Sequence, residues 1–226
     1  MCGRYSIVLD EAKLKQQLSR EIQFPVTGLP TNYNVAPTQN GVVITNREPN
    51  RVKLFRWGLV PHWAKDLKIG VRMINARREG IATKPSFRKP IREKRCLVVA
   101  DSFYEWQRHA DGKTPQRIFP ADGRYLVMAG IWEQWWPSPE VTDPVRTFSI
   151  ITGAPNAEMA PVHDRMPMLL MDERDQNTWL DPDAPLDDAL ALLTTPRDGV
   201  LEYYPVPAAV GNVRNNGPAL HERVEA

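Results

Sequence analysis

Cys96-Leu97-Val98-Val99-Ala100-Asp101-Ser102-Phe103-Tyr104-Glu105-Trp106 begins with a branched, apolar run of the kind that forms a strand. Further runs of the same character are Gly41 to Thr45, Val52 to Trp57, Tyr125 to Trp132, Thr147 to Thr152 and Met168 to Met171. Their length and their enrichment in β-branched and aromatic residues predict strands of a β-rich domain. Turn signals separate them at Asp111-Gly112 and Asp122-Gly123, and the second, between Gln116 to Phe119 and Tyr125 to Trp132, reads as the turn of a hairpin. Helical periodicity is confined to short segments. Asp10 is placed to cap a helix with Leu14, Leu18 and Ile22 on one face, and helical patterns return at Asp172 to Trp179 and Leu186 to Leu193. Trp136 to Pro144 reads as a surface loop.

A chain of 226 residues, 42% of them apolar, can bury one substantial core, so a single domain over residues 1–226 is expected. No stretch approaches the roughly 18 consecutive apolar residues of a membrane span, and the first residues lack the basic-then-apolar pattern of a secretory signal. The expected setting is cytoplasmic, with Cys2 and Cys96 as free thiols. The net charge of +2 hides an asymmetry: residues 1–130 hold 23 Lys and Arg against 11 Asp and Glu, whereas residues 131–226 hold 6 against 16. Either the two parts neutralise each other or the basic part faces an anionic partner such as nucleic acid.

Cys2 directly follows Met1, and a small second residue generally permits removal of the initiator. The product carries a 1,2-aminothiol. An α-amine with a pKa near 7.7–8.0 is partly neutral at physiological pH and attacks carbonyls, which a lysine near 10.4 rarely does. The neighbouring thiol can then close on the imine to give a five-membered thiazolidine. The four His and two Cys show no metal-ligand spacing, so neither metal nor cofactor is expected.

The chain also carries Trp57-Gly58-Leu59-Val60-Pro61-His62-Trp63, Ile74-Asn75-Ala76-Arg77-Arg78-Glu79, His163-Asp164-Arg165-Met166-Pro167 and Val210-Gly211-Asn212-Val213-Arg214-Asn215. With Cys2-Gly3-Arg4-Tyr5, Asn34-Val35-Ala36-Pro37 and the 96–106 stretch, this ordered set resembles the SOS-response-associated peptidase family, the abasic-site processing proteins, over nearly the whole chain. The resemblance implies an α+β fold: a compact β-dominated domain, a barrel-like sheet with flanking short helices, and a basic groove for single-stranded DNA. It implies Cys2 as nucleophile with Asn75, Glu105 and His163 around it. Glu105 suits proton donation to a departing hydroxyl, Asn75 holds amine and sugar oxygen, and His163 exchanges a proton as the sugar ring opens.

Arg72 to Arg95 holds nine basic residues against Glu79 and Glu93, as a phosphate-tracking groove would. Arg4, Arg77 and Arg165 are the expected phosphate contacts, Pro37 and Trp63 match apolar positions that wedge against bases, and Asn34 and Trp106 complete the DNA-binding set. The partner implied is single-stranded DNA containing abasic sites, bound by a monomer. The family commonly has Pro-Ala-Asp-Gly where this chain has Val99-Ala100-Asp101-Ser102, which puts the backbone before Glu105 in question. Ser102 lacks a Gly-x-Ser-x-Gly elbow.

Bland readings coexist with these. Asn75 can cap a helix over Ala76 to Ile81, Glu105 can be the polar side of a strand end, His163 can be a satisfied core imidazole, and Cys96 reads as buried core. Two rival functions stand beside capture of an abasic site: a thiol peptidase acting on itself or on other proteins, and a non-catalytic single-strand binding module.

Overall fold

The computed structural model describes residues 2–225. Its strands are β1 (Arg4–Ile7), β2 (Asn32–Val35), β3 (Asn40–Thr45), β4 (Glu48–Trp57), β5 (Asn75–Arg77), β6 (Arg95–Ala100), β7 (Ser102–His109), β8 (Gly112–Pro120), β9 (Leu126–Trp135), β10 (Val145–Gly153), β11 (Met166–Pro167) and β12 (Leu201–Pro205). The helices are short: α1 (Glu11–Leu18), α2 (Pro90–Glu93), α3 (Glu173–Leu180) and α4 (Leu186–Ala191). Strands dominate, as the apolar runs predict.

Five strands close on themselves. They run β10-β4-β3-β6-β9, and β9 returns to pair with β10, so the barrel has no free edge. The β4–β10 contact is parallel and the others are antiparallel. A second, antiparallel sheet in the order β12-β8-β7-β1-β2 packs against the barrel. Its inner face contributes Tyr5, Ile7, Phe103 and Ile118 to the main core. Alternation sends Tyr104 to the outer face, where Val206, Val210 and Leu220 of the C-terminal segment cover it. Inside, Tyr5 meets Trp57 edge-on at 4.9 Å between ring centroids, a favourable quadrupole geometry. The chain leaves Trp57 through Gly58, which has φ +112°, and a Cβ there would lie 2.6 Å from the Gly70 oxygen. Only glycine fits both the dihedral and the approach.

β10 links barrel and site. Its first half closes the barrel; beyond it, Ile150, Ile151 and Thr152 pair in parallel with Asn75, Ala76 and Arg77, and Thr152 and Gly153 pair with β11. One strand end thereby fixes the two segments that carry Asn75 and His163.

Several sequence expectations are corrected. Asp122-Gly123 forms a turn, but β8 and β9 belong to different sheets because β7 and β12 occupy the edges of β8 while β6 and β10 occupy those of β9. The tight hairpin is instead β7–β8, where His109 pairs with Gly112. Asp10 does cap α1, accepting the Lys13 N–H at 2.7 Å. Ser19, in the left-handed region at φ 50°, ends that helix before Ile22. Asn75 begins a strand and caps no helix. Met168 to Met171 is not a continuous strand, since β11 lies at Met166–Pro167 and only Leu169 makes a bridge, to Met128. No helix among the described residues is long and apolar enough to cross a membrane.

Candidate active site

Cys2 lies two residues before the start of β1 and is fully buried. Its Sγ lies 3.7 Å from the Arg4 carbonyl oxygen. The Asn75 amide Nδ2 donates to the Cys2 carbonyl oxygen at 2.7 Å. The Asn75 Oδ1 is buried and has no hydrogen-bond partner among the described residues, which leaves an acceptor able to receive a bound group. Burial, and secondarily the Glu105 carboxylate, push the Cys2 thiol far above its ordinary value. The thiolate is therefore suppressed at neutral pH.

Glu105 sits mid-strand in β7 on the same face as Phe103, 3% exposed. Removal from water raises its carboxyl above the ordinary 4.5, against a lowering from His163. His163 Nε2 is 4.0 Å from Glu105 Oε2. On the other side of the ring, Nδ1 accepts the Arg165 backbone N–H at 3.0 Å, which assigns the ring proton to Nε2, toward Glu105. Asp164 Oδ1 also lies 2.8 Å from Nδ1. The aligned backbone N–H is the better guide to the tautomer, because the Asp164 side chain is 85% exposed and solvated. The loop before His163 is held by Asn156, whose Oδ1 accepts the Met159 N–H, and by buried Met159.

Two residues of the site carry no signal of their own in the sequence. Gln116 is directly opposite Glu105 in the β7–β8 ladder, is buried, and leaves its Oε1 unpartnered among the described residues. Thr152 accepts Arg165 through its carbonyl oxygen at 2.6 Å. Only register and pairing reveal them.

Cys2, Asn75, Glu105 and His163 thus converge from four separated segments. The residues expected to contact DNA divide. Arg77 is exposed, with no side-chain hydrogen bond or ion pair among the described residues, and Trp63 is 52% exposed. Pro37 and Trp106 are half-buried, Trp106 against the outer Tyr104 cluster. Arg4 is turned to internal acceptors: its guanidinium donates to Asn34 Oδ1 at 2.8 Å, Val210 O at 2.7 Å and Gly211 O at 3.1 Å. Asn34 is 1% exposed, and its amide donates to the carbonyls of Val210, Asn212 and Asn215. These two side chains anchor the 210–215 segment. Arg165 is gripped by Glu79, through Nη1 at 2.8 Å and Nη2 at 3.0 Å.

The variant Asp101-Ser102 step has a structural use. Asp101 accepts from Ser6 Oγ, the Val8 N–H and Arg117, and Ser102 Oγ lies 2.5 Å from Ser6 Oγ and accepts from Arg117 Nε. Ser102 is fully buried in this β1–β7–β8 junction, where its hydroxyl is engaged by Ser6, Asp101 and Arg117. The charge asymmetry is not neutralised by contact. Lys94–Glu133 is the one direct ion pair, among the described residues, joining a Lys or Arg of residues 1–130 to an Asp or Glu of the remainder. The same residues contain no group of three His, Cys, Asp or Glu arranged to hold a metal ion.

The sequence profile described as SOS response associated peptidase (SRAP) matches residues 1–213. A Bacillus subtilis (strain 168) protein named Abasic site processing protein YoqW is 43% identical over 98% of this chain and 99% of its own length. The Gallus gallus protein named Abasic site processing protein HMCES is 30% identical over 96% of this chain and 76% of its own. A crystal structure of a Bacteroides thetaiotaomicron protein superposes with a TM-score of 0.87 at 26% identity, covering 99% of this chain and 100% of that one.

Proposed function

This chain belongs to the SOS response associated peptidase (SRAP) family, and from that premise we propose that it captures abasic sites in single-stranded DNA as a covalent adduct at Cys2. The observation that carries this reading is the convergence of a second-position cysteine with Asn75, Glu105 and His163.

In this reading Met1, which lies outside the described residues, is first removed, so that the Cys2 nitrogen becomes an amine. That amine adds to C1′ of the ring-opened sugar. His163 supports ring opening by exchanging a proton with the sugar oxygen. Glu105, with its raised carboxyl pKa, donates a proton to the carbinolamine hydroxyl, which leaves as water as the C=N bond forms. The Cys2 thiol then adds to C1′ of the resulting iminium and its proton returns to the Glu105 carboxylate. One water is lost overall and a thiazolidine remains. Asn75 holds the Cys2 carbonyl and offers its unpartnered oxygen to the amine.

The suppressed thiolate favours this order of events over thiol-peptidase chemistry. A peptidase thiol must be ionised before it attacks, and such thiols lie in electropositive surroundings. Cys2 is instead fully buried beside a carboxylate. An α-amine needs no thiolate for the first step. Exposed Arg77, Trp63 and the uncancelled basic surface would hold the strand by phosphate contact and stacking, without reading sequence.

Intact-mass spectrometry tests the proposal. Met1-free protein mixed with single-stranded DNA bearing one abasic site is expected to give an adduct at the summed mass less one water. No adduct from verified Met1-free protein would overturn it in favour of a peptidase or a binding module.

A further inference from the structure

The ion pair between Arg165 and Glu79 bears on how such a strand is admitted. Arg165 follows His163 by two residues and its side chain is 13% exposed, while Glu79 is 54% exposed. Both terminal guanidinium nitrogens reach the two carboxylate oxygens, at 2.8 and 3.0 Å. This paired, parallel geometry is the one in which arginine holds a phosphate. Nη2 also donates to the Thr152 carbonyl at 2.6 Å, which anchors the guanidinium from behind. Nε is buried and has no acceptor among the described residues. Arg165 therefore has little freedom to reorient, and the fork that faces outward is the one that Glu79 fills. Glu79 is differently held: it stands on a 3-10 turn at Arg78–Gly80 whose three residues are not buried. Its carboxyl is kept below the ordinary 4.5, first by the Arg165 hydrogen bonds, so it is ionised across the physiological range.

We propose that Glu79 is a built-in phosphate surrogate, which occupies the Arg165 fork in the empty protein and must swing into solvent before a nucleic-acid phosphate takes its place. The inference rests on the single-strand DNA reading and adds a regulatory contact to it. Closing the fork lowers affinity for any anion, and a strand already seated on Arg77 displaces the carboxylate because its phosphate is then held at high local concentration. Discrimination is thereby shifted toward extended polyanions over isolated phosphate or nucleotide.

The test compares wild type, Glu79→Gln, Arg165→Ala and the double variant by fluorescence anisotropy on an intact single-stranded oligonucleotide without an abasic site, over a range of salt. Thermal melts confirm that each variant is folded. Glutamine keeps the shape and one acceptor of glutamate, so Glu79→Gln is expected to bind roughly two- to fivefold tighter, the scale of losing one competing ion pair. Its log–log salt dependence is expected to differ from wild type by less than about 0.7, the increment for one phosphate contact on a single strand, because Arg165 meets a phosphate in both complexes. The tightening is expected to vanish when Arg165→Ala is added. Unchanged or weaker binding by Glu79→Gln would overturn the surrogate and make Glu79 a support that positions Arg165. Tightening that persists without Arg165 would also overturn it, as a mere charge effect. Absence of salt-sensitive binding by the wild type would instead sink the DNA reading itself.

Discussion

The side-chain amide of Asn75 donates to the carbonyl oxygen of Cys2 at 2.7 Å, across 73 positions of sequence. β10 makes that contact possible by pairing in parallel with the strand that Asn75 begins. The bond holds the Cys2–Gly3 peptide group, one Cα away from the nitrogen proposed as nucleophile, beside Glu105.

Replacing Cys2 by alanine separates chemistry from binding. The variant is expected to lose the adduct on abasic-site DNA and to keep salt-sensitive affinity for single strands, measured by denaturing gels and anisotropy side by side. An adduct surviving in Cys2→Ala would place the nucleophile elsewhere.

Arg77→Ala is expected to weaken single-strand binding at low salt and to reduce the log–log salt slope by about 0.7. Arg77 is exposed and has no internal partner among the described residues to lose, so its thermal midpoint is expected to stay within about 2 °C of wild type. Unchanged affinity and slope would move the groove away from β5.

Glu105→Gln removes an acid without changing shape. Cross-linking is expected to slow about 100-fold. In the wild type the protonated carboxyl is the active form, so this contribution fades as pH rises through the raised folded-state value, and the variant lacks that decline. Stability moves in the same direction. A carboxyl raised on folding stabilises the protein below its unfolded value of 4.5 and loses that contribution as pH rises. Glu105→Gln is accordingly expected to gain stability relative to the wild type as pH rises from 4 to 7. Parallel denaturation curves at the two pH values would refute the burial argument.

Asn34→Ala is expected to destabilise by about 2 kcal/mol, because three carbonyls of the 210–215 segment lose the amide that serves them. Arg4→Ala is expected to act in the same direction through Val210 and Gly211. Urea melts check both. A normal midpoint with impaired DNA binding would return these residues to direct contact with the strand.

His221 is a pH-sensitive element outside the site. Burial first, then Arg117, lowers its pKa from 6.5 to about 4, against an opposing pull from Asp101. Its ring stacks edge-on with Tyr33 at 4.8 Å. A histidine kept neutral by folding gives stability that is complete above the unfolded value and is lost as pH falls from 6.5 toward 4. The expected loss is on the order of 2 kcal/mol over that window, and His221→Gln is expected to lack it. Equal acid sensitivity in both proteins would show that other groups govern the acid limb.

The amino-acid sequence determined the class of fold and the intrinsic chemistry of the candidate groups. Branched and aromatic runs such as Cys96 to Ala100 favour strands because their side chains suit a pleated, buried surface, although Met168 to Met171 forms only an isolated bridge. Asp10 specifies its cap within three residues. The character of Cys2 is likewise intrinsic: an α-amine beside a thiol has that chemistry in any fold. Partners were decided only in three dimensions. Nothing local says that β8 turns away from β9, that Gln116 stands opposite Glu105, that Arg4 and Asn34 face the 210–215 segment, or that Glu79 fills the fork of Arg165. Each of these depends on which edge or donor a distant segment has already occupied. Barrel closure through the β9–β10 ladder settles that competition once for the whole chain.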